Sequence, residues 1–177
     1  MKKKTLALVL ALTLLVAGVV GGTLAWLTDQ TAEVKNTFTV GDINIGLTET
    51  TADYKMVPGN TIAKDPTVTV KANSEACWLF VKVTESTDLK DFITYAIAEG
   101  WTALPGVDGV YYREVPASAA DQTFSVLAGD AVTVKSDVTR TMLETAKTDA
   151  PTLTFKAYAI QRDHIATADA AWAEVSK

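Results

Sequence analysis

Few side chains in this chain have the type and company that chemistry requires. His164, in Asp163-His164-Ile165, is the sole histidine and Cys77 the sole cysteine. A hydrolytic zinc takes about three protein ligands and keeps one position for water, most familiarly through a His-Glu-x-x-His pair on one helix face. One histidine and one cysteine fall short of that set, so no metal and no cofactor is expected. A serine nucleophile working with His164 would need the strained Gly-x-Ser-x-Gly elbow, which the sequence lacks. Glu85, Asp88 and Asp91 are near enough in sequence to suggest a glycosidase pair or calcium ligands, yet no Asp-x-Asp-x-Asp-Gly loop organises them. They read as solvated loop charges. No glycine-rich phosphate loop is present either. The expectation is a protein that is not an enzyme and has no catalytic residue of its own.

The one reaction the sequence announces is performed on it. Lys2-Lys3-Lys4 precedes an apolar run from Leu6 to Val20, and Gly21-Gly22-Thr23-Leu24-Ala25-Trp26 follows. A basic head, roughly 7–15 apolar residues, and small residues one and three places before the cut define a secretory signal peptide. Thr23 and Ala25 fill the small positions, so residues 1–25 are expected to be removed and the working chain to start at Trp26. The competing reading is an uncleaved anchor, because apolar residues continue to Leu27 and a spanning helix needs about 20 of them. Gly21, Gly22 and Thr23 weaken such a helix and suit an extended peptide in a protease groove. Lipid attachment is not expected, since no cysteine stands near the junction and Ala173-Glu174-Val175-Ser176-Lys177 adds no second apolar segment.

Loss of the three signal lysines would take the net charge from -5 to -8. That balance argues against a nucleic acid or an anionic membrane surface as partner, and leaves the membrane a role only through the uncleaved signal. A single cysteine forbids an internal disulfide. Set in Ala76-Cys77-Trp78-Leu79-Phe80-Val81, Cys77 reads as a small buried hydrophobe, and a disulfide-free exported protein fits a bacterial surface.

The elements that would carry these residues are mostly strands. Phe38, Val40, Ile43, Ile45 and Leu47 alternate with polar or small residues, with one extra residue near Gly41-Asp42 that suggests a bulge. Pro58-Gly59-Asn60 is a turn, and Pro66-Thr67-Val68-Thr69-Val70-Lys71 a second alternating strand. Cys77 to Thr84 is apolar on both faces and reads as a central strand. Leu89 to Ile97 is strand or short helix. Asp108-Gly109, flanked by Val107 and Val110, signals a hairpin; Gln122–Leu127, Ala131–Lys135 and Pro151–Gln161 read as further strands. Ile165, Ala168, Trp172 and Val175, after a Thr167 cap, form a short amphipathic helix that docks its tryptophan. Eight or nine short strands about ten residues apart imply an all-β chain, a jelly-roll-like two-sheet β-sandwich with a short C-terminal helix. Residues 26–177 are expected to be one domain, with 26–35 an extended N-terminal segment.

With these pieces in place, the chain resembles the TasA/camelysin family of secreted proteins from Gram-positive bacteria. The resemblance rests on Gly22-Thr23-Leu24-Ala25-Trp26-Leu27-Thr28-Asp29 at the junction and Asn36-Thr37-Phe38-Thr39-Val40-Gly41-Asp42-Ile43-Asn44-Ile45 after it. Val57-Pro58-Gly59-Asn60-Thr61 and Ala157-Tyr158-Ala159-Ile160-Gln161 are similar to the family's proline-glycine turn and late strand. The resemblance implies maturation by a SipW-type signal peptidase, a jelly-roll body, and a place at the cell surface or in an extracellular biofilm matrix. There, subunits of the family form fibres, each donating its extended N-terminal segment to the sheet of a neighbour.

Elementary physics agrees with such a mode, because an extended segment satisfies the unpaired N–H and C=O groups of a strand edge while alternate side chains fill apolar pockets. Trp26, Leu27, Val34 and Phe38 are the apolar positions of the expected donor segment, and other copies of the chain or related subunits its expected partners. Two other readings remain open at this stage. One is a secreted jelly-roll module that captures carbohydrate or peptide on Trp78, Trp101, Tyr111 and Tyr112; the other is a camelysin-like metallo-endopeptidase.

Overall fold

The computed structural model describes residues 42–50 and 54–177. The chain divides into two units, Met1–Thr39 and Val40–Lys177, and the described residues belong to the second. Their strands are β1 (Ile45–Thr48), β2 (Thr61–Ala63), β3 (Thr67–Val70), β4 (Cys77–Glu85), β5 (Ile93–Thr94), β6 (Thr102–Ala103), β7 (Val110–Val115), β8 (Gln122–Ser125), β9 (Ala131–Val134) and β10 (Leu153–Gln161). Three short helices join them: α1 (Leu89–Phe92), α2 (Arg140–Ala146) and α3 (Ala168–Val175). All pairings are antiparallel, in sheets ordered β1-β3-β8, β10-β4-β7-β6 and β2-β9-β5. The all-β class is as expected. A third sheet stands where two were expected.

β4 is the centre because its sequence is apolar in both phases. Cys77, Leu79, Val81 and Val83 point into a first core with Val68, Val70, Val115 and Val126, while Trp78 and Phe80 point into a second with Leu104, Val110 and Ala171. Leu79, Phe80 and Val81 are fully buried, each contributing about 1.5–3 kcal/mol of transfer free energy. β10 pairs with β4 along all nine residues and β7 flanks its other side. The second core is roofed by α3. Thr167 caps it by accepting a hydrogen bond from Ala170 N at 3.3 Å, and Trp172 packs 5.3 Å from the Phe80 ring and 5.2 Å from Tyr158.

The third sheet has its own core of Phe92, Val134, Val138 and Ala146, with Met142 and Leu143 from α2. Its origin explains where sequence reading slipped. Gln122–Leu127 and Ala131–Lys135 are strands as expected, yet β8 joins β3 and β9 joins β2 and β5, because the intervening turn at Ala128–Asp130, with Gly129 at φ 65°, redirects the chain. Leu89–Ile97 is both alternatives in turn, α1 and then β5. The helix α2 escaped notice, although Val138, Met142 and Ala146 recur every four residues behind a Thr139 cap that accepts from Met142 N.

The Asp108-Gly109 signal marks a hairpin of another shape. β6 and β7 pair, but Val107 lies in a loop closed by Leu104 N donating to Val110 O at 2.9 Å. Gly109 has φ +71° and its carbonyl accepts from Val83 N at 2.7 Å, and a Cβ at this position would collide with the Val83 carbonyl oxygen. Only glycine fits both the turn and the close approach to β4.

Candidate functional site

The outer edge of β10 is the most distinctive surface of the described residues. Arg162 N donates to Ala76 O and Ser86 N donates to Thr152 O, each at 2.9 Å, just beyond the two ends of the β10-β4 ladder. Those two bonds fix its phase. Even-numbered residues of β10 turn their backbone groups toward β4, so Leu153, Phe155, Ala157, Ala159 and Gln161 turn N–H and C=O outward. Among the described residues β10 pairs with β4 alone. The side chains of Leu153, Phe155, Ala157 and Ala159 lean on the first core and are only half-buried, whereas Val83, Val81 and Leu79, opposite the last three on β4, are buried.

Among the described residues β1 pairs with β3 alone and supplies a second open edge. Lys71 N donates to Asn44 O at 2.8 Å, which by the same phase argument turns the backbone groups of Ile45 and Leu47 outward. Cα atoms of β1 and β10 approach within 8 Å without forming a ladder. A strand inserted between two others needs them roughly 9.5 Å apart, so an incoming segment must add where β10 runs past β1 or displace β1. Nine residues span about 30 Å and four about 14 Å, so β1 screens less than half of the β10 edge.

At the start of β10 the edge opens on a cleft of about 450 Å³, walled by Met56, Ile62, Leu89, Ile93 and Leu153. Lys64 is the cation of this cleft, buried, with Nζ 2.6 Å from Glu49 Oε1. Thr50 anchors the neighbouring Asp65, donating from both its backbone N–H and its hydroxyl, and these bonds hold the Asp65 carboxyl below the usual aspartate range.

The expected processing and donor residues, Thr23, Ala25, Trp26, Leu27, Val34 and Phe38, lie outside the described residues, as do the signal segment 1–25 and residues 26–35. The other candidates are all placed, and they do not converge. His164 is exposed in the loop before α3, with φ +66°. Glu85 accepts from the Tyr95 hydroxyl and lies 3.7 Å from Lys90 Nζ; Asp88 accepts from Ser86 Oγ at 2.8 Å; Asp91 is exposed on α1. Glu85 and Asp88 are local fasteners. Among the described residues no group of three or more His, Cys, Asp or Glu side chains is placed to hold a metal ion. Cys77 is fully buried, and burial pushes its thiol up to about 11.

The aromatic candidates divide between the two faces of the β4 sheet. Trp101 and Tyr111 belong to the first core, Trp78 and Tyr112 to the second. Trp78 Nε1 donates to Ile165 O and Trp101 Nε1 to Ser125 O, which ties both indoles into the fold. They form no coplanar exposed pair. Sequence reading missed the buried Lys64, and it missed Arg113, which shares the inward phase of β7 with Tyr111 and Val115. A charge on the inward phase of a strand is a readable signal.

No protein-family model, curated protein or solved structure matches this chain.

Proposed function

We propose that this chain is an exported structural protein, a subunit or accessory of an extracellular matrix or surface fibre, and that it assembles by accepting a strand at β10. The observation that carries this reading is the outward ladder of Leu153, Phe155, Ala157, Ala159 and Gln161. None of these five carries a charge; the one charge of β10, Lys156, belongs to the phase whose backbone bonds β4, whereas proteins that avoid edge-to-edge association use charges, prolines or bulges on such strands. The half-buried side chains of Leu153, Phe155, Ala157 and Ala159 leave apolar surface that an added segment covers while its backbone pairs with the edge.

The occupant is the segment around Trp26, Leu27, Val34 and Phe38 of a second copy, freed when a SipW-type peptidase cuts after Ala25. Until that cut the segment is tethered at the membrane, so processing acts as the assembly switch. The resemblance to TasA/camelysin proteins leads to the same role, to a jelly-roll winding of the body, and to a Gram-positive cell surface. The deciding experiment removes Trp26 to Thr31 from the processed form. The shortened chain should fold and stay monomeric under electron microscopy, and filaments indistinguishable from those of the full-length processed form would sink donor-segment assembly. N-terminal sequencing of the exported product tests the cut itself.

A further inference from the structure

Arg113 is held in this fold without an acid. It projects from β7 toward the first core, with its guanidinium carbon 3.9 Å from the centre of the Phe124 ring and 5.3 Å from that of Trp101. Gly100, at φ +84°, lies against the same group, and a Cβ there would come within 3.0 Å of Nη2. Two rings and a glycine therefore seat the planar cation.

Its donors are not used. Among the described residues Arg113 makes no ion pair and no hydrogen bond, and its Nε is buried with no acceptor. The other well-covered cation, Lys64, has Glu49, and exposed Lys71 and Arg162 have Asp121 and Glu114. Burial lowers the pKa of Arg113 from its ordinary value, although an arginine keeps its charge at any ordinary pH. The residue is half-buried, and its terminal nitrogens, unlike Nε, are not fully buried. A guanidinium in that state is prepared for a carboxylate, which accepts two parallel N–H bonds in the guanidinium plane.

We propose that Arg113 is a docking site for an Asp or Glu carboxylate of a second copy of this chain. The chain has 21 Asp+Glu against 16 Lys+Arg, and Asp137, Asp149 and Asp169 are exposed and form no ion pair among the described residues. An acidic surface resists its own kind, and a partly desolvated arginine is where one opposed charge gains most. The site is distinct from the β10 edge. β7 and β10 lie on opposite sides of β4, so a segment paired with β10 leaves Arg113 uncovered. The inference takes from the assembly reading only that the partner is the same chain.

The probe is acetate, with chloride at equal ionic strength as control, read on the side-chain Nε–Hε signal of Arg113 by NMR; unlabelled protein is then titrated in place of acetate. Both acetate and added protein should shift that signal and chloride should not. In sedimentation equilibrium Arg113→Gln should weaken self-association about tenfold, the scale of one lost charge-assisted bond, and Arg113→Lys should not restore it fully. A signal that acetate leaves where chloride does overturns the carboxylate site. A signal that acetate moves but added protein does not overturns the second copy as its source. The wild-type titration decides even if the variants fail to fold. Loss of filaments on removing Trp26 to Thr31, with the acetate shift intact, separates the two proposals.

Discussion

Lys64 Nζ lies 2.6 Å from Glu49 Oε1, with only 9 % of the lysine side chain exposed. The ammonium also sits 4.7 Å from the centre of the Tyr54 ring and 5.4 Å from that of Phe155. Tyr54 donates its hydroxyl to the same Glu49 oxygen at 2.6 Å, and burial together with that carboxylate holds its pKa above the ordinary tyrosine value. Removing the acid strands a covered cation, whereas removing the lysine frees a carboxylate that is a quarter exposed. Glu49→Gln should therefore lower unfolding free energy by about 2–3 kcal/mol, the low end for a broken buried pair, and Lys64→Met by clearly less. Urea unfolding of both variants checks the order, and equal losses would show that packing, not charge, matters here.

The phase of β10 allows a sharper test of its edge than deletion does. Proline at Ala157 removes an N–H that faces away from β4, while proline at Tyr158 removes one that bonds to it. Ala157→Pro should cost about 1–2 kcal/mol, mostly from the fixed φ, and leave a folded domain that no longer accepts a strand. Tyr158→Pro should cost at least about 3 kcal/mol. Thermal melts with electron microscopy distinguish them; filaments from folded Ala157→Pro protein would move the accepting edge elsewhere.

Strand positions were legible wherever alternation met a complete face, as in Val68 and Val70 of β3 or the two-sided apolar run of β4. What the sequence could not display is partnership. Gln122–Leu127 and Ala131–Lys135 look like the arms of one hairpin, and three residues containing a left-handed Gly129 send them to different sheets. Helix α2 was missed because its contacts, Met142, Leu143 and Ala146, are only two bulky residues and an alanine in a threonine-rich stretch. The open edge was invisible for a related reason. Leu153 to Gln161 reads as a good strand whatever lies beside it, and whether a neighbour is present is a property of topology. Lys64 was overlooked because a single charge among apolar residues is usually solvated, and Arg113 for the same reason despite its inward phase on β7; the packing of Trp101, Phe124 and Phe155 around them shows otherwise.

Gly109 should tolerate no side chain. Its φ of +71° disfavours any L-residue, and a Cβ would meet a β4 carbonyl that cannot retreat without breaking the sheet. Gly109→Ala is expected to cost about 2–4 kcal/mol, while Gly46→Ala, with open space at its Cβ and no positive φ, should change stability by less than about 1 kcal/mol. Chemical denaturation of the pair reads out the difference, and similar losses would mean that the β6-β7 turn is laxer than this geometry requires.

Stability should also fall on the alkaline side, and Cys77 sets where the fall begins. In the unfolded chain its thiol gives up its proton near 9.0, whereas burial in the native core raises that value to about 11. Between those two values the native form holds a proton that the unfolded form has released, so rising pH favours unfolding; below pH 9 the thiol's contribution is fully present. The two units correspond to about 2–3 kcal/mol lost by pH 11. Tyr95, raised by burial and by its hydrogen bond to Glu85, and Tyr54 add to the loss, chiefly from the ordinary tyrosine value of 10.0 upward. From pH 9 to 10 the cysteine makes the largest single contribution of the three, and replacing it separates its share from that of the tyrosines. Urea unfolding across that interval should show a slope in the wild type that Cys77→Ala flattens, although the variant starts lower because it leaves a small void in the first core. The native thiol should also resist disulfide reagents at pH 8. A reagent that titrates it without unfolding the protein would mean that β4 is exposed in solution, and that β10 leaves its partner strand more readily than their nine-residue ladder implies.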